Sequence, residues 1–173
     1  MNTFLLVGAL TVTARQSAPD AEPLRWRNLG LWVLAAALGT LTVACTGAIT
    51  ALGDTLFPAT SLEQGLDADF AATAHFLVRL RIYHPVSAVV VGGFVTLVGV
   101  LLGRRVEGAK PIAIALVVLF AAQLAGGLVN LLLLAPTWMQ LIHLLMADLV
   151  WIALVLLAVE TFRPAPAPTP AVF

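Results

Sequence analysis

Four long apolar stretches, at about residues 29–52, 69–103, 111–134 and 139–160, limit what this chain can fold into. Each is long enough to cross a hydrocarbon core, which takes about 20 helical residues. A segment inside a bilayer finds no water for its backbone N–H and C=O groups, so it must satisfy them within itself, as a helix does. The chain therefore reads as all-α: an integral membrane four-helix bundle, with a short N-terminal apolar helix remnant in front. Composition agrees. The chain is 61% apolar and 10% charged, against about 45–50% and about 25% for a soluble domain. Formal net charge is zero, which gives no electrostatic case for nucleic acid. The expected surroundings are a lipid bilayer. Cys45 is the single cysteine, so the chain supplies neither an internal disulfide nor a thiolate metal cluster.

Three units follow. Residues 1–28 hold an apolar run and a polar connector with Arg15, Arg25 and Arg27 against Asp20 and Glu22. The run lacks a basic region before it, unlike a signal peptide, and is too short to span. It reads as an interfacial helix or as the end of a spanning helix that begins upstream. Residues 29–161 are the membrane domain. Residues 162–173, with Pro164, Pro166, Pro168 and Pro170, read as an extended, disordered tail.

Arg15, Arg25, Arg27, Arg104, Arg105, Lys110 and Arg163 all fall on one side of the four spans. The positive-inside rule makes that side cytoplasmic. A multi-pass protein of the cell membrane with a cytoplasmic C-terminus is expected. The loop at residues 53–69 carries Asp54, Glu63, Asp67 and Asp69 and belongs to the outer side. From residue 69 to 103 only Pro85 interrupts the helical pattern. At about 1.5 Å per residue such a helix is roughly 50 Å long, so its start should project from the membrane with His75, Arg79 and Arg81. Two arginines on the outer side point to an anionic partner there, or to snorkelling toward lipid phosphates.

Two histidines stand at the outer ends of the second and fourth spans. His84 has Ala88 one turn deeper, and His143 has Ala147. At about 100° per residue Arg81 lies within about 60° of His84, while His75 points away, with Arg79. Two imidazoles at one depth, each above an alanine, frame a slot for a flat ligand. A haem whose iron takes both as axial ligands fits it, its propionates directed toward Arg81. Pro85 should kink the helix and re-aim His84. Plain polar anchoring at the interface is the alternative. Zinc asks for three or four ligands, and only two good ones appear.

Asp148 lies about 140° around the helix from His143, in mid-span, where it needs a partner such as Gln123 or Asn130. Gln123, Gly126, Gly127 and Asn130 share a face that either packs or lines the slot. Gly39, Thr42, Thr46 and Thr50 form a small-residue face suited to close helix packing.

Taken together these segments resemble the C-terminal half of the heme A synthase family of cytochrome oxidase assembly. The likeness is carried by Thr46-Gly47-Ala48-Ile49-Thr50 with Phe57-Pro58, by Leu80-Arg81-Ile82-Tyr83-His84-Pro85-Val86-Ser87-Ala88, by Gln123 through Asn130, by Ala135-Pro136-Thr137-Trp138, and by His143 through Ala147. It covers about residues 29–160. The resemblance implies eight spanning helices in two similar halves, each with a histidine pair on its second and fourth helices. Here that pair is His84 and His143, and in this half it implies haem b and its iron. The activity implied is an oxidoreductase that converts a methyl group of haem O to the formyl group of haem A. The chain has half the expected length, and residues 1–14 look like the end of the missing half's last helix. The partners implied are haem and either that missing half or a second copy of this chain. The histidine pair is expected toward the outer face. Glu63 and Asp69 match no catalytic glutamate, so no catalytic residue is assigned, and His75 receives no role. Two other functions fit the residues: a bis-histidine membrane cytochrome for electron transfer, and a cofactor-free structural bundle.

Overall fold

The computed structural model describes residues 2–19, 23–25 and 28–164. It is helical without strands among these residues: α1 (Asn2–Gln16), α2 (Gly30–Leu56), α3 (Leu62–Phe70), α4 (Phe76–Leu80), α5 (Tyr83–Arg105), α6 (Lys110–Leu132) and α7 (Thr137–Phe162). Four stretches are long and apolar enough to cross a membrane: α2, α4 with α5, α6 and α7. The protein is an all-α membrane bundle. Neighbours in sequence are neighbours in space. α2 packs on α5, α5 on α6, α6 on α7, and α7 closes back on α2. This leaves α5 and α7 as a diagonal pair that meets mainly through side chains.

The tight core lies toward the end where α5 finishes and α6 begins. Val95, Val98, Leu102, Leu116, Leu154 and Leu157 are buried there. Lipid tails are as apolar as leucine, so close approach at small residues drives this association. Gly92 shows how close: a Cβ there would run into the ring of Phe120. Farther toward the histidine end the large side chains turn outward, Val86, Val89, Val90, Leu141, Leu144 and Leu145 among them.

α1 packs along α7 and runs parallel to it. Near its start, Trp151 Nε1–H donates to the Phe4 carbonyl at 2.7 Å. Near its end, Arg15 meets Glu160 at 3.3 Å. The N-terminal run therefore lies against a span. At about 1.5 Å per residue its 15 residues reach part of the way across. The connector returns at Arg25, whose N–H donates to the Phe162 carbonyl at 2.7 Å. Asp20, Glu22, Arg27 and residues 165–173, with the expected disordered tail, lie outside the described residues.

The second span departs from the unbroken helix expected from residue 69. The chain leaves helix between α3 and α4 and turns again at Arg81-Ile82. His75 starts α4 as its cap, with Nδ1 accepting from Leu77 N–H at 3.3 Å, and its ring stacks on Phe57 at 4.7 Å. Pro85 does not kink a long helix. It is the third residue of α5, where backbone N–H groups have no intrahelical acceptor, so its missing donor costs nothing there.

Arg81 fastens this broken segment. Its guanidinium donates to Asp54 at 2.8 Å and to Asp69 at 2.9 Å, joining the end of α2 and the end of α3 to the joint before α5. Arg81 is 8% exposed. Burial pushes the Asp69 carboxyl above the usual carboxylate range, and Arg81 pulls against that shift. A raised folded value means the ionised Asp69 carries a desolvation cost that grows as pH rises through that range. Arg81→Met leaves two carboxylates without their cation, and should cost about 3 kcal/mol in a reversible detergent unfolding titration followed by circular dichroism. Asp69→Asn removes the desolvated charge and keeps one acceptor, so it should cost less. At the other end, Gly92→Ala should destabilise by about 1–3 kcal/mol through overpacking. Phe120→Leu in the same chain should recover part of that loss, seen as a non-additive double-mutant cycle.

Candidate functional site

The two histidines on the diagonal helices come together. The ring centres of His84 and His143 are 6.4 Å apart and their planes are nearly perpendicular, at 89°. Each ring sits on a glycine of the helix before it. A Cβ at Gly47 of α2 would stand 2.9 Å from Cε1 of His84, and one at Gly127 of α6 would stand 3.1 Å from Cε1 of His143. Two helical hairpins, α2 with α5 and α6 with α7, thus each present an imidazole by the same device. Only hydrogen in place of a side chain leaves room for the ring.

Hydrogen bonds give both rings one tautomer. Thr46 Oγ1 lies 3.3 Å from His84 Nδ1, and its own proton goes to the Val43 carbonyl at 2.9 Å. The ring N–H is then the donor, at Nδ1, and Nε2 keeps its lone pair. From α6, the Gln123 amide N–H₂ donates to the His143 carbonyl at 3.1 Å and to His143 Nε2 at 3.2 Å. An amide nitrogen only donates, so Nε2 of His143 also carries the lone pair. Its Nδ1 is buried with no hydrogen-bond partner among the described residues.

Two imidazoles at this separation could share one metal atom through a nitrogen of each. Metal–nitrogen bonds run about 2 Å, and ring bond lengths put each nitrogen about 1.1 Å from its ring centre. Such an arrangement places ring centres about 6.2 Å apart by those lengths, near the 6.4 Å observed. Among the described residues no group of three or more His, Cys, Asp or Glu gathers into a metal site. Ala88 and Ala147 are half-buried one turn below the rings. Ala147 rests against the packed core.

Comparison with known proteins gives the family. The model of the COX15-CtaA family, described as cytochrome oxidase assembly protein, matches residues 1–155. The chain belongs to this family. Proteins named protoheme IX farnesyltransferase from two strains of Thermus thermophilus are 44% and 43% identical over 167 residues. The match takes in 94% of this chain and 27% of those proteins, so the chain spans about a quarter of the curated relatives' length. No solved structure matches the chain.

Several residues of this COX15-CtaA family member stand apart from where the sequence points. Helical spacing predicts that Arg81 faces a ligand beside His84. Its cationic head instead holds Asp54 and Asp69, because the helix ends before His84 and the joint turns the guanidinium toward the acidic loop. The anionic partner of Arg81 is inside the chain. Arg79 is exposed and has no ion pair among the described residues. Gln123, a candidate partner for Asp148, has its amide committed to His143. Asp148 lies about 140° around α7 from His143, beyond the reach of one shared amide. Its Oδ1, like Asn130 Oδ1, is buried with no hydrogen-bond partner among the described residues. Conversely Thr46, which spacing puts on a packing face, and Gly47, which spacing gives no role, meet the His84 ring, and Gly127, on the face that either packs or lines the slot, meets that of His143. Their signal in the sequence is weak, because small residues at helical spacing serve ordinary helix packing just as well. Gly47→Val should drive the His84 ring from its seat. The variant should keep the helical circular dichroism of the parent and lose the close approach of the two rings, read as shifted histidine ring signals in a nitrogen-15 magnetic resonance spectrum.

Proposed function

We propose that this chain is the membrane haem-binding half of a heme A synthase. It supports oxidation of the haem O methyl group to the formyl of haem A in cytochrome oxidase biogenesis. The single observation that carries the reading is the pair of perpendicular imidazoles at a separation of 6.4 Å. Membership of the cytochrome oxidase assembly family supports the same class of chemistry, and the relatives are named for protoheme IX.

In this reading His84 and His143 would hold the iron of haem b. The bound iron supplies a one-electron couple. Ala88 and Ala147 leave room for the flat face of the ring, since a larger side chain one turn below either histidine would occupy it. The Gln123 amide, 3.2 Å from His143 Nε2, would have to give up that contact for this nitrogen to hold the iron. The Arg81 ion-pair cluster fixes the mouth of the site from above and supplies no free cation. The histidine pair faces the outer side and the C-terminus the cytoplasm, a reading that the distribution of basic residues supports. The rest of the catalytic apparatus comes from the other half of such a protein or from a second copy of this chain.

A bis-histidine electron-transfer cytochrome shares the same site and differs only in consequence. Both readings predict a low-spin six-coordinate spectrum in the purified chain. Perpendicular axial imidazoles further predict a strongly anisotropic ferric signal by electron paramagnetic resonance. His84→Ala and His143→Ala should each abolish the six-coordinate species. If both variants keep it, the histidine pair is not the site. Conversion of haem O, measured when the chain is combined with a complementary half, separates the synthase from the cytochrome.

A further inference from the structure

The hydroxyls around His84 go beyond the ligand pair. Thr46 Oγ1 contacts three groups: the Val43 carbonyl at 2.9 Å, His84 Nδ1 at 3.3 Å and Ser87 Oγ at 3.2 Å. Ser87 Oγ in turn donates to the His84 carbonyl at 3.0 Å. Each hydroxyl has one proton: Thr46 gives its own to the Val43 carbonyl, and Ser87 shares its own between the His84 carbonyl and Thr46 Oγ1. The proton between Thr46 and His84 must then belong to the imidazole. Gly47, the next residue, bounds the same ring on its Cε1 side. Thr46 and Gly47, with the Val43 carbonyl that His84 also meets, thereby bound the rotation and the tautomer of the ring from α2.

His143 lacks this arrangement. Its contact is a donor, the Gln123 amide, and its Nδ1–H finds no acceptor among the described residues. An oxygen accepting the distal N–H raises the basicity of a ligating imidazole, and such outer partners set ligand orientation. The two rings are therefore unequal.

We infer that Thr46 is the positioning residue of the site, holding His84 through its Nδ1–H so that Nε2 alone faces a metal, with Ser87 as its brace. This rests on the haem reading above. Thr46 makes His84 the stronger of the two ligands, and a more basic ligand favours the ferric state.

The test uses the full chain, purified from membranes of a host that supplies protohaem, with Thr46→Val, Thr46→Ser and Ser87→Ala beside the parent. Valine has the shape of threonine without the hydroxyl. Thr46→Val should move the midpoint potential to more positive values and shift the ferric low-spin resonance. Thr46→Ser should restore both, and Ser87→Ala should give a smaller change of the same sign. Loss of haem in Thr46→Val with haem retained in Thr46→Ser and unchanged helicity in both also supports the role. Parent-like potential and resonance in Thr46→Val overturn it while leaving the haem reading intact. So does a Thr46→Ser variant as altered as Thr46→Val. A parent free of pigment overturns the haem reading, and this inference with it.

Discussion

Everything in this bundle is arranged around the cost of placing two imidazoles in apolar surroundings. A polar ring in a membrane needs partners for its nitrogens. Here the diagonal helices α5 and α7 aim their rings at one another, and the flanking helices α2 and α6 satisfy one nitrogen of each. Glycine at 47 and 127 lets the backbone come near enough to hold the rings. The packed leucine and valine core lies at the other end of the bundle. It acts as the clamp that keeps the helix spacing fixed while the histidine end stays loosely filled.

A second polar device closes the histidine end. Arg81 is almost wholly buried, yet it carries two carboxylates and so ties three chain segments together. Buried ion pairs of this kind are weak sources of net stability, because desolvation offsets much of the attraction. Their value here is geometric. The joint at Arg81-Ile82 is a place where the backbone could take several directions, and the ion pairs choose one. That choice sets the start of α5, and with it the direction of His84 three residues on.

Much of the site is legible in the residues, and the reason is periodicity. Helical spacing puts His84 over Ala88 and His143 over Ala147, and it separates His75 and Asp148 from the pair. It fails where periodicity is assumed to continue. Reading residues 69–103 as one helix puts Arg81 on the face of His84. The real chain breaks twice, because His75 caps a new helix and Pro85 belongs to a first turn. Thr46 and Gln123 illustrate a different failure. A threonine or glutamine in a span has many uses, and only the position of the neighbouring helix says which one it serves.

The sequence by itself determined that the chain is a set of membrane helices, where they lie, and that two histidines stand at corresponding ends of the second and fourth. Those properties follow from apolar length and helical period, which are local. Only the tertiary structure decided that the two rings meet, that glycines seat them, that hydroxyl and amide groups give them one tautomer, and that Arg81 is bound to its own acidic loop. Those are contacts between segments far apart in the chain. They depend on helix separation and rotation, which the packing of the whole bundle sets and no single segment encodes.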